Sequence, residues 1–128
     1  MKTRRLKRHN YRKDTLYPHI TQVIDILLED TQVVIPLDVF QQLGMLTSKN
    51  ITKWRQGKTP YLEQVIRCNL SKAKRILTII RLHAMELELR PVLHKYRCKS
   101  KGGNPITLQF SKYGQAHVER LYSTHYLG

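Results

Sequence analysis

LGMLTSKNITKWRQGKTPYLEQVI, residues 43–66, places two glycine stop signals, Gly44 and Gly57, on either side of one short helix's worth of sequence. Working upstream, Pro36 suits a first helical turn and Gly44 the position just past a helix end, so residues 36–43 form a short helix. Val39, Phe40 and Leu43 give that helix one apolar side. Met45 and Leu46 turn the chain, Thr47 or Ser48 caps the next helix, and that helix runs over residues 49–56 until Gly57 ends it.

Two short helices joined by a turn with glycine are the layout of a helix-turn-helix. The second of them has two chemically different sides. Ile51 and Trp54, three apart, point one way and lock the helix onto a core. The opposite side carries Lys49, Thr52, Lys53 and Gln56, with Asn50 and Arg55 on the flanks and Lys58 just beyond. That side has no acid and no large apolar residue. Arg and Lys side chains match guanine O6 and N7, and Asn and Gln match adenine N6 and N7, so these residues suit base edges in a major groove.

The same stretch resembles the helix-turn-helix of the lambda-repressor-like, xenobiotic-response-element family. Leu43-Gly44, Ile51, Trp54, Gly57-Lys58, Thr59-Pro60 and Leu62-Glu63 stand where that family shows Leu-Gly, Ile-x-x-Trp-x-x-Gly-Lys, Thr-Pro and Leu-Glu. The resemblance covers about a fifth of the chain. It departs from the family in a stretch from Gly44 to Trp54 that is one residue longer, and in the chain beyond residue 66. It implies sequence-preferring binding of double-stranded DNA, with the helix over residues 49–56 as the reading element.

Charge points to the same class of partner. The 128 residues carry 23 Lys and Arg against 9 Asp and Glu, a formal net charge of +14. So large an imbalance destabilises a small fold through self-repulsion unless a polyanion offsets it. The signs are also segregated. Residues 1–13 hold Lys2, Arg4, Arg5, Lys7, Arg8, Arg12 and Lys13 without an acid, and residues 14–48 hold five acids without a Lys or Arg. Residues 49–81 and 92–113 are again basic. This predicts a basic face and an acidic back rather than an evenly mixed surface.

Outward from the quoted stretch, residues 1–14 read as a flexible basic arm and residues 15–128 as a single domain. Arg4, Arg5 and Arg8 of the arm are candidates for phosphate or minor-groove contact. A first helix starts near Pro18 with Ile20, Val23, Ile24 and Leu27 inward; residues 31–34 form a short strand or a linker. Apolar residues spaced three or four apart from Leu62 to Leu87 predict one long helix from Pro60 to just before Pro91. Leu70, Leu77 and Ala84 on it could support a homodimer or serve the domain's own core, and Arg67, Lys74 and Arg81 form a basic stripe. After Pro91 the period changes to two, predicting a β-hairpin whose tip, residues 99–105, carries Lys99 and Lys101 like the wing of a winged helix. A last helix over residues 115–124 places Val118, Leu121 and Tyr122 inward. The expected fold is thus mainly α, a helix-turn-helix core with one long helix, then a hairpin and a short helix.

Enzyme and metal readings find little to hold. No HxxxH, HxH or CxxC spacing occurs, and Glu86 and Glu88, two apart on a helix, diverge. His117-x-x-Arg120 followed by His125 faintly resembles the box of a tyrosine recombinase, without room for its nucleophilic segment. No cofactor is implied, no enzyme activity is expected, and no apolar run is long enough to span a bilayer. Cys68 and Cys98 suggest no disulfide framework, so a reducing cytoplasm, at the nucleoid, is the expected location. The alternative partner is structured RNA, as on a ribosome, with Tyr11, Tyr17, Tyr61, Tyr96, Tyr113, Tyr122 and Tyr126 as stacking surfaces. A helical protein-interaction adaptor is the third class.

Overall fold

The computed structural model describes residues 6, 7 and 9–128. Arg4, Arg5 and Arg8 of the expected arm lie outside the described residues. From Asn10 onward the arm is already part of the fold. Tyr11 is fully buried, its hydroxyl 3.3 Å from His83 Nδ1, and Asp14 receives two hydrogen bonds from the Arg75 guanidinium. The boundary expected after residue 14 therefore falls earlier, because an aromatic ring beside an ion pair gives this segment something to bury.

Helix α1 (Tyr17–Thr31) takes Pro18 in its first turn and buries Ile20, Val23, Ile24 and Leu27 at helical spacing. Its acids Asp25, Glu29 and Asp30 stay exposed. Gln32, left-handed at φ 59°, ends it, and the two-residue strand β1 (Val33–Val34) follows. Helices α2 (Pro36–Gln42) and α3 (Ser48–Arg55) lie where the glycine signals put them. Both end in the same way. Gly44 N–H donates to Gln41 O and Met45 N–H to Phe40 O, while Gly57 N–H donates to Trp54 O and Lys58 N–H to Lys53 O. Each pair closes a helix end around a residue at positive φ, +77° in both cases, which glycine adopts without the clash a Cβ would bring.

The long helix expected from Pro60 to Pro91 is corrected. Residues 60–69 form a loop with one 3₁₀ turn (Leu62–Gln64), and α4 spans Leu70–Glu86 behind an Asn69 cap that accepts from Lys72 N–H at 2.7 Å. Tertiary partners won over the apolar period. Leu62 and Glu63 N–H donate to Gln109 O and Phe110 O, and Arg67 N–H donates to Met45 O, bonds that a continuous helix would have kept for itself. Leu62 and Ile66 are buried by loop packing, whereas Leu70, supposedly on the same stripe, is exposed. Leu77 and Ala84 belong to the chain's own core, so that side of α4 is not free for a partner copy.

The mainly α expectation also needs correction, since the chain is mixed α and β. Strand β2 (Arg90–Leu93), the hairpin strands β3 (Arg97–Lys99) and β4 (Pro105–Thr107), helix α5 (Ala116–Ser123) and strand β5 (Thr124–Leu127) complete the order. Beside the expected hairpin β3–β4, an antiparallel sheet in the order β1-β5-β2 joins the two halves of the chain, with Val33 opposite Leu127 and Pro91 opposite Tyr126. Pro91, which cannot donate a ladder bond, sits on an edge strand as proline must. His125 lies on β5. The core is enclosed by α1, α2, α4 and α5, and no helix among the described residues is long and apolar enough to cross a membrane.

Candidate nucleic-acid interface

Local chemistry first sets the start of α3. Thr47 Oγ1 accepts from Asn50 N–H at 3.1 Å, and Gln41 Nε2 of α2 donates to Ser48 Oγ at 2.6 Å, so the turn and both helices are tied together. The inward side is then fixed by Trp54, the chain's single tryptophan. Its indole is fully buried, 4.9 Å from the Phe110 ring and 5.4 Å from the Tyr96 ring, and Nε1–H donates to Gln109 O at 2.8 Å. Ile51 is half-buried beside it.

Gln109 belongs to the segment between β4 and α5, and that segment is itself clasped by two carboxylates. Glu63 accepts from Lys112 N–H (2.9 Å) and Tyr122 Oη–H (2.7 Å). Glu119 accepts from Phe110 N–H (2.8 Å) and Ser111 N–H (2.7 Å). Phe110 stacks on Tyr122 at 5.2 Å, and Tyr122 on Phe40 of α2 at 5.8 Å. Burial and the Glu63 hydrogen bond push the Tyr122 phenol far above its ordinary range, so it remains a donor. The inner side of α3 thus rests on an aromatic row held by charge-assisted hydrogen bonds.

The outer side is free. Lys49, Thr52, Lys53, Arg55, Gln56 and Lys58 are exposed and Asn50 is half-exposed. Neither residues 48–58 nor residues 94–109 contain an acid. Among the described residues the ion pairs are Arg12–Glu86 and Arg75–Asp14, both remote from α3, so its cations have no carboxylate partner. Arg55 alone is engaged, its guanidinium 5.3 Å from the Tyr96 ring centroid.

The hairpin joins this surface through its root. Tyr96, leading into β3, packs on Trp54, and a Cβ on Gly57 would come within 3.1 Å of Cys98 Sγ in β3. Glycine at residue 57 therefore serves both the left-handed turn and the close approach of the hairpin. Lys99 and Lys101 extend from the root, exposed. The Tyr96 hydroxyl lies 3.0 Å from His125 Nε2, and His94 stacks on His125 at 4.8 Å. Burial pushes the Tyr96 phenol up to about 12 against the pull of Arg55, while burial and the neighbouring His94 lower His125.

Helix α3 and the hairpin meet where Trp54 and Arg55 touch Tyr96 and Gly57 approaches Cys98, with Lys99 and Lys101 exposed beyond that contact, and the three arginines of the arm lie outside the described residues. Sequence reasoning missed Lys95 and Arg97, also exposed at the root of the hairpin, although their alternation with buried Tyr96 and half-buried Cys98 was legible. The basic stripe Arg67, Lys74 and Arg81 is broken up, because Arg67 precedes α4. Of the tyrosines offered for stacking, Tyr11, Tyr96, Tyr122 and Tyr126 are core residues, and Tyr113 alone is widely exposed, at 73%. Among the described residues no group of three or more His, Cys, Asp or Glu is placed to hold a metal ion. Comparison with protein-family models, with curated proteins and with solved structures found no match to this chain.

Proposed function

We propose that this protein binds double-stranded DNA with sequence preference, using α2, the turn at Gly44 and α3 as a helix-turn-helix and acting as a small transcriptional regulator or DNA-organising factor. The observation that carries this reading is the division of α3. One side is immobilised by the buried Trp54, and the other offers Lys49, Thr52, Lys53, Gln56 and flanking Asn50 and Arg55, with no acid within residues 48–58. A rigid polar helix of this kind enters a major groove and meets base edges with side chains that need no rearrangement. The β3–β4 hairpin, anchored beside Gly57, serves as a wing, with Lys99 and Lys101 on the flanking phosphates. Burial of the tyrosine rings favours a duplex over unpaired RNA, since stacking on splayed bases requires exposed rings.

The test is a titration of one duplex at two salt concentrations, with double-stranded and single-stranded RNA as competitors. Engagement of about six to ten phosphates steepens the log–log slope by nearly one unit each. A steep slope with preference for the DNA duplex is the expected result. A flat response, or displacement by single-stranded RNA at lower concentration than by duplex DNA, sinks the reading.

A further inference from the structure

Away from α3, a groove of about 840 Å³ opens between α4, α5 and the β2–β5 sheet. Its size falls within the range of roughly 300–1,000 Å³ found for small-molecule sites. Its wall is of two kinds. Met85, Leu89, Pro91 and Leu121 make an apolar surface, and Lys74, Arg75, Arg81, His117 and Arg120 surround it with no Asp or Glu in the lining. Arg75 is already neutralised by Asp14, but Lys74, Arg81 and Arg120 have no carboxylate partner among the described residues.

Among the polar groups of the groove without a partner is the Tyr126 hydroxyl. Tyr126 of β5 is only 4% exposed, yet it lines the groove, and its hydroxyl, which is not sealed from solvent, makes no hydrogen bond to the described residues. A phenol of this kind buries its ring and presents its hydroxyl at the wet end, where a ligand can reach it. Burial pushes the Tyr126 phenol up to about 12, against the pull of Arg81, which lines the same groove. A hydroxyl donor beside a guanidinium is a receptor for an anionic oxygen, and the neighbouring apolar wall is a receptor for a hydrocarbon body.

We infer that this groove is a binding site for an amphiphilic anion, a carboxylate carried on an apolar chain, with the carboxylate held by Tyr126 Oη–H, Arg81 and Arg120 and the chain laid against Met85, Leu89 and Leu121. Nucleic acid fits the cations but not the wall, since a phosphodiester backbone has nothing to place on Met85 and Leu121. A simple inorganic anion likewise leaves the wall wet. The carboxylate and the chain together satisfy both halves of the lining. This inference does not depend on what α3 binds.

The test is calorimetric titration of the full chain with decanoate, with acetate and decan-1-ol as comparisons. Decanoate binds saturably at one equivalent, and acetate and decanol each bind at least about tenfold more weakly, as expected when charge and chain both contribute. Tyr126→Phe removes a hydroxyl that bonds to nothing among the described residues, so it keeps its melting temperature and loses about tenfold in decanoate affinity. Arg81→Ala with Arg120→Ala loses more, whereas Lys49→Ala with Lys53→Ala, an equal loss of charge on α3, leaves decanoate affinity unchanged. The proposal is overturned by non-saturable binding, by acetate binding as tightly as decanoate, or by an equal loss in the two double variants. It is also overturned if a random-sequence duplex displaces decanoate and Tyr126→Phe binds decanoate like the parent.

Discussion

The exposed outer surface of α3 and the groove beside α4 are both basic and both free of acids, yet they differ in what lies behind the cations. Behind Lys49, Lys53 and Gln56 there is only the helix backbone, and the apolar support, Trp54 with Phe110 and Tyr96, is sealed on the far side. Beside Lys74, Arg81 and Arg120 the apolar support is open to the same space as the charges, through Met85, Leu121 and the buried Tyr126. A convex polar surface of the first kind suits a partner that is itself polar and rigid, such as the edge of a duplex. A concave one of the second kind suits a ligand that carries its own apolar surface. Net charge alone distinguishes neither, because it is the location of the apolar residues that decides the chemistry of the partner.

The contrast between these regions breaks most severely at the support of α3. Trp54→Ala removes an indole that is fully buried and hydrogen-bonded to Gln109, so unfolding in urea should show a loss of about 3–5 kcal/mol. A variant that unfolds at the parent's urea concentration would mean that α3 does not rest on this ring. One layer deeper, Tyr122→Phe leaves the aromatic stack intact and deletes only the 2.7 Å hydrogen bond to Glu63. Its expected cost is about 1.5–3 kcal/mol, as for a hydrogen bond to a charged group, read from the same urea titration. No change would place the orientation of the Gln109 segment on Glu119 alone.

On the outer side the effects pass from stability to recognition. Gln56→Ala should melt like the parent, since its side chain is exposed, and lose about 1–3 kcal/mol of affinity for a selected duplex with little change on a scrambled one. Equal loss on both duplexes would make α3 a charge surface rather than a reading helix. Smallest of all in sequence dependence is the hairpin tip. Lys99→Ala with Lys101→Ala should weaken selected and scrambled duplexes alike and lower the salt slope by up to about 0.9 for each phosphate contact removed. A loss confined to the selected duplex would give the tip a base-reading role.

How far these regions were legible in the sequence differs by residue. Gly44 and Gly57 marked the ends of α2 and α3 because a left-handed terminus is a local requirement that glycine meets at least cost. The two sides of α3 were equally plain, since Ile51 and Trp54 at helical spacing leave only one side for the polar residues. The end of α4 was not marked in this way. Glu88 occupies the left-handed position at φ 57°, with Glu88 N–H donating to Met85 O and Leu89 N–H to Ala84 O, so a helix end of the same form lacks its glycine. Pro91, three residues on, was the visible signal, and it proved to belong to a strand.

What the sequence by itself determined is therefore what single turns of backbone decide: the caps, the helix ends, the hairpin and the segregation of charge along the chain. Tertiary structure alone decided the rest. The loop over residues 60–69 gave up a helical period because Gln109, Phe110 and Met45 offered its N–H groups other acceptors. The sheet β1-β5-β2 pairs segments too short to carry a signal, two and four residues long, from distant parts of the chain. The groove assembles Lys74 and Arg81 from α4, Arg120 from α5 and Tyr126 from β5, residues whose common neighbourhood no spacing records. Local conformational preference is written within a few residues, whereas a cavity or a sheet depends on which distant surfaces meet, and that is settled only when the whole core is packed.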